Sequence, residues 1–353
     1  MNLSYKKLGE VCEILDSKRI PITASERKPG PYPYYGANGV QDYVADFIFD
    51  DELILLAEDG GNFGSKDRPI AYRVSGKIWV NNHAHVLKPL PGIDADYLCY
   101  SLMFYDTSNL VNGATRQKLT QAAMRQMEIP LRSLDEQKAI SQKISMVADL
   151  IALRQSQLKA LDQLASSRFI EMFGDGSFDE KELCDICHFI DYRGKTPTKS
   201  SSGVPLITAK NVKREGFSRE PVEYIPEEIF ESWMSRGYPQ IGDILFTTEA
   251  PLGNVCRIPD IYGKFAVGQR IITLQPFNGI LAPIYLEKAL QSSVFQNKLK
   301  KKSSGSTVTG IRSKLLERLT IPVPPLALQN EFSAFIEQLD KSKLAAQQLE
   351  VAA

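Results

Sequence analysis

Apolar positions along this chain follow two kinds of pattern, and each kind occurs twice. The first is strand-like: short apolar runs, rich in β-branched and aromatic residues and bounded by Gly, Pro, Asn and Asp. Leu53–Glu58 is echoed by Ile244–Glu249, and Gly76–Pro89, reading G-K-I-W-V-N-N-H-A-H-V-L-K-P, by Gly263–Pro276, reading G-K-F-A-V-G-Q-R-I-I-T-L-Q-P. That alignment sets Glu58 against Glu249 and Asn81-Asn82-His83 against Gly268-Gln269-Arg270. The second pattern is helical. Ser133-Leu134-Asp135-Glu136 is a capping box, and after it Ile140, Ile144, Val147, Ile151, Leu158, Leu161, Ala165 and Met172 keep spacings of three and four. Arg154 and Arg168 interrupt this stripe, and Gly174-Asp175-Gly176 ends it. After Pro324-Pro325 a shorter stripe follows, through Phe332, Ile336, Leu339, Ala346 and Leu349.

The duplication extends to the helix entries. At one fixed spacing Thr115 meets Thr307, Leu119 meets Ile311, Ile129-Pro130 meets Ile321-Pro322, and Gln137 meets Gln329. A period this long means two whole domains in tandem rather than a solenoid. Dense turn residues, including the hairpin signal Asn38-Gly39, make each half an α+β unit. A helix of about ten turns cannot be covered by one small domain, so its stripe calls for the second helix as partner. Packed antiparallel, the two helices would relate the halves by a pseudo-two-fold axis. That is how a homodimeric DNA reader is built, here in one chain. The shorter second stripe leaves Phe169 and Met172 without an evident opposite number.

Composition narrows the classes. The 353 residues carry 42 basic and 42 acidic side chains, which argues against binding nucleic acid by overall charge and permits local basic faces. No apolar run reaches membrane-spanning length, and the N-terminus shows no signal-peptide core, so the cytoplasm is expected. Five cysteines without an export signal read as reduced thiols. Cys184-x-x-Cys187-His188 matches a haem-attachment spacing, but Cys187 falls where the first copy has Cys12, which makes it a small buried apolar residue.

The duplicated entries Ile129–Ile140 and Ile321–Gln329, with Tyr34–Gly39 and Trp79–Ala84, resemble the DNA-specificity subunit of type I restriction–modification enzymes. Leu328 stands where that family usually carries Glu, and Arg132-Ser133 replaces its usual Pro-Pro. The resemblance implies target-recognition domains at 1–130 and 177–323, a central helix at 131–176, and a C-terminal helix at 324–353, the helices forming an antiparallel coiled coil. It implies a non-catalytic chain that reads a bipartite sequence in double-stranded DNA. Two copies of an adenine methyltransferase subunit would sit on the helices, and a restriction and translocase subunit would join for cleavage. No cofactor is expected on this chain; S-adenosylmethionine, ATP and Mg2+ would belong to the partners.

Base reading needs forked donors and amides, and positioning needs cations on phosphates. The first half offers Tyr34, Tyr35, Asn38, Lys66, Arg68, Arg73, Asn81, Asn82, His83, Arg116 and Lys118. The second offers Arg193, Lys195, Lys210, Asn211, Lys213, Arg214, Gln269, Arg270, Lys300, Lys301 and Lys302, the lysines with Lys298 expected on a loop. No Asn/Asp-Pro-Pro-aromatic tetrapeptide, G-x-G-x-x-G or Walker motif is present, and His83 and His85 lack a neighbour in sequence to complete a zinc site. Two other classes remain open. One is a self-sufficient nuclease using the recurring Glu58 and Glu249; the other is a duplicated adaptor that binds protein instead of DNA.

Overall fold

The computed structural model describes residues 4–113, 116–194, 196–260, 263–303 and 309–351, with side chains described through Ala346. It consists of two units, Met1–Ile151 and Ala152–Ala353.

In the first unit β1 (Ser4–Lys7) leads through the single turn α1 (Leu8–Val11) into β2 (Cys12–Ile14). Then come β3 (Pro29–Gly36), β4 (Gly39–Val44), β5 (Phe49–Asp50), β6 (Leu53–Ala57), β7 (Ala71–Val74), β8 (Lys77–Val80) and β9 (Ala84–Pro89). Helix α2 (Ala95–Met103), β10 (Val111–Asn112), β11 (Lys118–Leu119), α3 (Gln121–Arg125) and β12 (Glu128–Leu131) complete the unit, and α4 (Leu134–Phe173) leaves it. One sheet has the order β2-β9-β6-β7 and is antiparallel throughout; the other has the order β4-β3-β8-β5, with β3 and β8 parallel. Strand β6 reads L-I-L-L-A without polar alternation because both its faces are buried. Ile54 and Leu56 join Leu98, Leu102 and Met124 in one core, while Leu53 and Leu55 join Ile78, Val80 and Val86 in another.

The second unit repeats the plan. It runs β13 (Glu180–Glu182), α5 (Leu183–Ile186), β14 (Cys187–Asp191), β15 (Val204–Ile207), β16 (Val212–Lys213), β17 (Gly216–Phe217), β18 (Tyr224–Ile225) and α6 (Phe230–Trp233). After these come β19 (Ile244–Thr247), β20 (Val255–Arg257), β21 (Ala266–Val267), β22 (Ile271–Pro276), α7 (Pro283–Gln291), α8 (Ser293–Lys302), α9 (Ser313–Glu317), β23 (Thr320–Pro322) and α10 (Leu326–Val351). Its main sheet, β14-β22-β19-β20, has the order of the first, and its parallel pair β15 and β21 corresponds to β3 and β8. Cys12 lies opposite Pro89 and Cys187 opposite Pro276. Both thiols are buried, and burial pushes each up to about 12.

The shared entry motif has a physical job in each unit. Buried Gln137 accepts from the Asp94 N–H (2.8 Å) and donates to the carbonyls of Arg132 and Gly92. Buried Gln329 accepts from the Ala282 N–H (2.8 Å) and donates to the carbonyls of Pro324 and Ile280. Each amide thus ties the first turn of its long helix to the start of the shorter one, α2 or α7. Ser133 and Glu136 form the expected capping box (Ser133 Oγ to Glu136 Oε2, 2.8 Å).

Within the second unit the end of α4 lies antiparallel to α10. Arg168 pairs with Glu331 at 3.3 Å and Asp162 with Lys343 at 2.6 Å, so stepping back along one helix means stepping forward along the other. Contrary to the sequence expectation, Phe169 has partners: its ring lies 5.6 Å from Phe332 and 5.7 Å from Tyr285, and Phe173 completes the cluster. Met172 packs against the same core. Ile144, Val147 and Ile151, earlier on the α4 stripe, are exposed. The side chain of Leu349 lies outside the described residues. No helix among those described is long and apolar enough to cross a membrane.

Candidate nucleic-acid interface

In the first unit the polar residues that interrupt the apolar strands gather where β8 passes into β9. Asn81 is buried and shapes that passage. Its Oδ1 accepts from the His83 N–H (2.8 Å) and its Nδ2 donates to Gln41 (3.1 Å), which leaves Asn82 exposed and His83 half-buried beside it. Asp59, at the end of β6, stands next to them. It holds Arg116 Nε at 2.5 Å and lies 3.5 Å from His83 Nδ1, and the Arg116 fork comes within 3.4 Å of the same ring. Asn38, at the hairpin turn, donates to the Gly60 carbonyl (3.1 Å), and Lys118 pairs with Glu58 (3.2 Å). A surface cleft of about 460 Å³ runs along this edge, lined by Thr23, Arg27, Gln41, Asn82, His83 and Arg116 among others.

Other first-unit candidates go elsewhere. Tyr34 is buried, its hydroxyl donating to the Ile22 carbonyl, and it occupies in the β3–β8 pair the place of Leu206 in the second unit. It is therefore a core aromatic. Tyr35 is half-buried against Tyr72, with ring centroids 5.8 Å apart. Arg73 faces α2, paired with Asp96 (2.5 Å) and Glu52 (3.0 Å). Lys66 borders a separate cleft of about 300 Å³ with Met103 and Thr107, and Arg68 is exposed on the same loop.

In the second unit Arg270 is exposed and paired with Glu249 (Nε to Oε1, 3.2 Å), and Gln269 accepts from the Thr196 hydroxyl (3.2 Å). Lys195 lies outside the described residues. Asn211 departs from expectation. It is buried, accepts from the Thr208 N–H and hydroxyl, and donates to the carbonyls of Ser218 and Pro221, so no part of its amide is left for a base. Lys210 is tied to Glu223 (3.0 Å), whereas Lys213 and Arg214 are exposed at the β16–β17 hairpin. Lys300, Lys301 and Lys302 form the exposed last turn of α8, not a loop, and Lys298 pairs with Glu180 (2.5 Å).

Arg193 is also redirected. It forks onto Asp191 (2.7–3.0 Å) and donates to the Ile311 carbonyl (3.1 Å). In the first unit the equivalent Leu119 carbonyl bonds His85 Nε2 (2.9 Å), while His85 Nδ1 meets Asp16 at 2.6 Å. Asp16 and Asp191 thus anchor the same internal joint with different bases. Burial pushes both carboxyls up, but their bonds and charges from His85, Val86 and Arg19, or from Arg193 and Ser313, prevail and hold each below its ordinary value. Asp16, Glu58 and His85 come close enough together to suggest a metal site. Arg19 already fills that centre, bonded to Glu58 and to the Ala84 carbonyl at 2.7 Å each, and both His85 nitrogens are engaged.

Backbone hydrogen bonds correct the pairing of acids between the copies. The Glu58 N–H bonds the His83 carbonyl and the Glu58 carbonyl accepts from Leu119; Thr248 does the same with Arg270 and Ile311. Asp59 bridges to Lys118, and Glu249 to Gly310. Hence Glu58 corresponds to Thr248, and the recurring acid is Asp59 with Glu249. The two apolar runs are therefore offset by one residue from the correspondence that the sequence suggests, and the recurrence of Glu58 on which a nuclease centre would rest is lost. No sequence signal singled out Asp59; only the ladder register finds it.

The family model described as "Type I restriction modification DNA specificity domain" matches residues 2–163 and again 176–352. A type I restriction enzyme specificity subunit of Haemophilus influenzae is 26% identical, over 96% of this chain and 88% of its own length. The MjaVIII specificity subunit of Methanocaldococcus jannaschii is 23% identical, over 95% and 85%. Among solved structures, the S subunit of a type I restriction–modification system from M. genitalium superposes with a TM-score of 0.64 at 17% identity, covering 100% of this chain and 93% of that one. A chain from a structure of type I system assembly and conformational transition gives 0.53 at 18% identity, covering 99% and 94%. With both halves of its length matched by one family, the chain belongs to the type I restriction–modification DNA specificity family.

Proposed function

We propose that each unit reads one half of a bipartite target in double-stranded DNA, and that the chain thereby directs an adenine methyltransferase to that target. The observation that carries this is the pair of equivalent strand ends. Both present polar side chains beside a carboxylate on the same scaffold, and the residues differ: Asn82 and His83 in one unit, Gln269 and Arg270 in the other. Same fold with different readers is what two different half-sites require. Lys213, Arg214 and the α8 lysines suit phosphate contacts, which position without specifying. In this reading the chain contributes no catalytic group. Two methyltransferase subunits supply methyl transfer with S-adenosylmethionine, and a restriction and translocase subunit supplies cleavage with ATP and Mg2+.

The test is a map of methylated adenines in cells that express the chain with an adenine methyltransferase subunit. The expected outcome is a motif of two specified blocks separated by an unspecified spacer. Arg270→Ala should relax one block and leave the other intact. Loss of selectivity in both blocks together would sink the independent-reader assignment.

A further inference from the structure

The two recurring acids point to a mechanism of base selection that rests on the DNA-reading assignment above. Acids on a DNA-facing edge oppose phosphate binding, so their placement calls for a reason other than affinity. Asp59 and Glu249 are held by the same backbone joint, each bridged to the segment preceding Leu119 or Ile311. Each then grips an arginine at the same atom: Asp59 Oδ1 at Arg116 Nε (2.5 Å), Glu249 Oε1 at Arg270 Nε (3.2 Å). The two arginines come from different places in the chain, Arg116 from just before β11 and Arg270 from just before β22. Two independent routes converge on one arrangement.

A guanidinium is planar and presents its donors in a fixed fork, so a carboxylate at Nε orients the terminal N–H groups as well. Both arginine side chains remain more than half exposed (60% and 55%), with Arg116 Nη2 resting 3.4 Å from His83 Nδ1. The commonest acceptor for such a pair in the major groove is the O6 and N7 edge of guanine. We infer that Asp59 and Glu249 are specificity-determining positioning residues, each aiming one arginine at a guanine, so that each half-site contains at least one guanine read in this way. The shorter Asp59 also sits against His83, which makes the first-unit reader a composite of Arg116 and His83.

The experiment maps methylated motifs for the full chain with its methyltransferase, comparing wild type with Asp59→Asn, Asp59→Glu, Glu249→Gln and Arg116→Ala. Asp59→Asn should lower discrimination at one guanine position of one half-site by roughly tenfold, the scale of one good base contact. Glu249→Gln should do so in the other half-site only, and Asp59→Glu should retain most selectivity. In each variant the untouched half-site reports that the chain is folded. Binding of the same proteins to a random-sequence duplex should not weaken in the acid variants, because a lost carboxylate removes no phosphate contact; a general structural defect would weaken it. If Arg116→Ala relaxes a half-site while Asp59→Asn leaves it unchanged, the positioning role is overturned and DNA reading stands. Half-sites without guanine overturn it as well. A wild-type chain that yields no bipartite motif overturns the DNA-reading assignment, and this inference with it.

Discussion

Arg193 shows how a side chain suited to DNA can be committed inside the protein. Its fork on Asp191 and its bond to the Ile311 carbonyl use the donors a base edge would need. Arg193→Lys loses the planar fork, and we expect it to lower the denaturation midpoint of the second unit without changing the methylated motif. Motif mapping and urea titration together check this. The buried amides Gln137 and Gln329 are a second case. Truncating either to Ala removes the partner of a backbone N–H and of two carbonyls, buried at Ala282 and part-buried at Asp94, which should cost on the order of 1–3 kcal/mol, readable as a shift in urea midpoint. Asp16 gives a pH signature. Its carboxyl is held below its ordinary value in the folded chain, so the stability it contributes is full above about pH 4 and is lost as pH falls through the lower folded value. Asp16→Asn should flatten that acid limb, followed by Trp79 fluorescence in a Trp233→Phe background.

At the scale of elements, the joint between the end of α4 and α10 rests on aromatic packing more than on charge. Phe169, Phe173, Tyr285 and Phe332 form one cluster with ring centroids 4.9–5.7 Å apart, whereas the Arg168–Glu331 pair is solvent-exposed. Phe332→Ala should therefore cost about 3–5 kcal/mol. Arg168→Ala should leave the melting temperature essentially unchanged, as surface ion pairs contribute little. Calorimetry of both variants separates the two contributions. The same packing explains why a C-terminal helix of 26 residues suffices beside one of 40: the aromatic residues at the end of α4 find partners in the second unit's own core as well as on α10.

For the molecule as a whole, equal numbers of acidic and basic residues mean that the proposed DNA reading must draw its duplex affinity from local cations. Lys301, exposed in the last turn of α8, is one candidate. Lys301→Ala should weaken binding to all duplexes alike and reduce the slope of log affinity against log salt by about 1, whereas a reader variant changes preference and leaves the slope nearly intact. Titrating cognate and random duplexes across salt concentrations makes the comparison.

Elements and their duplication were legible in the chain because they depend on local periodicity. The β6 and β19 runs, the capping box at Ser133 and the repeated Ile-Pro entry all declare themselves within a few neighbouring residues. The assignment of polar residues to surface or interior was not legible, because it depends on partners far along the chain. Arg193 meets Ile311 and His85 meets Leu119, across 118 and 34 residues. Tyr34 and Asn211 likewise have surface-compatible chemistry and buried positions. The recurring acid was hidden for a related reason. Runs such as L-I-L-L-A and I-L-F-T are buried on both faces and lack the period-two alternation that would fix their alignment, so they align almost equally well one residue apart. Only the hydrogen-bond ladder, formed when β6 and β9 or β19 and β22 pair, decides that Asp59 and not Glu58 stands with Glu249.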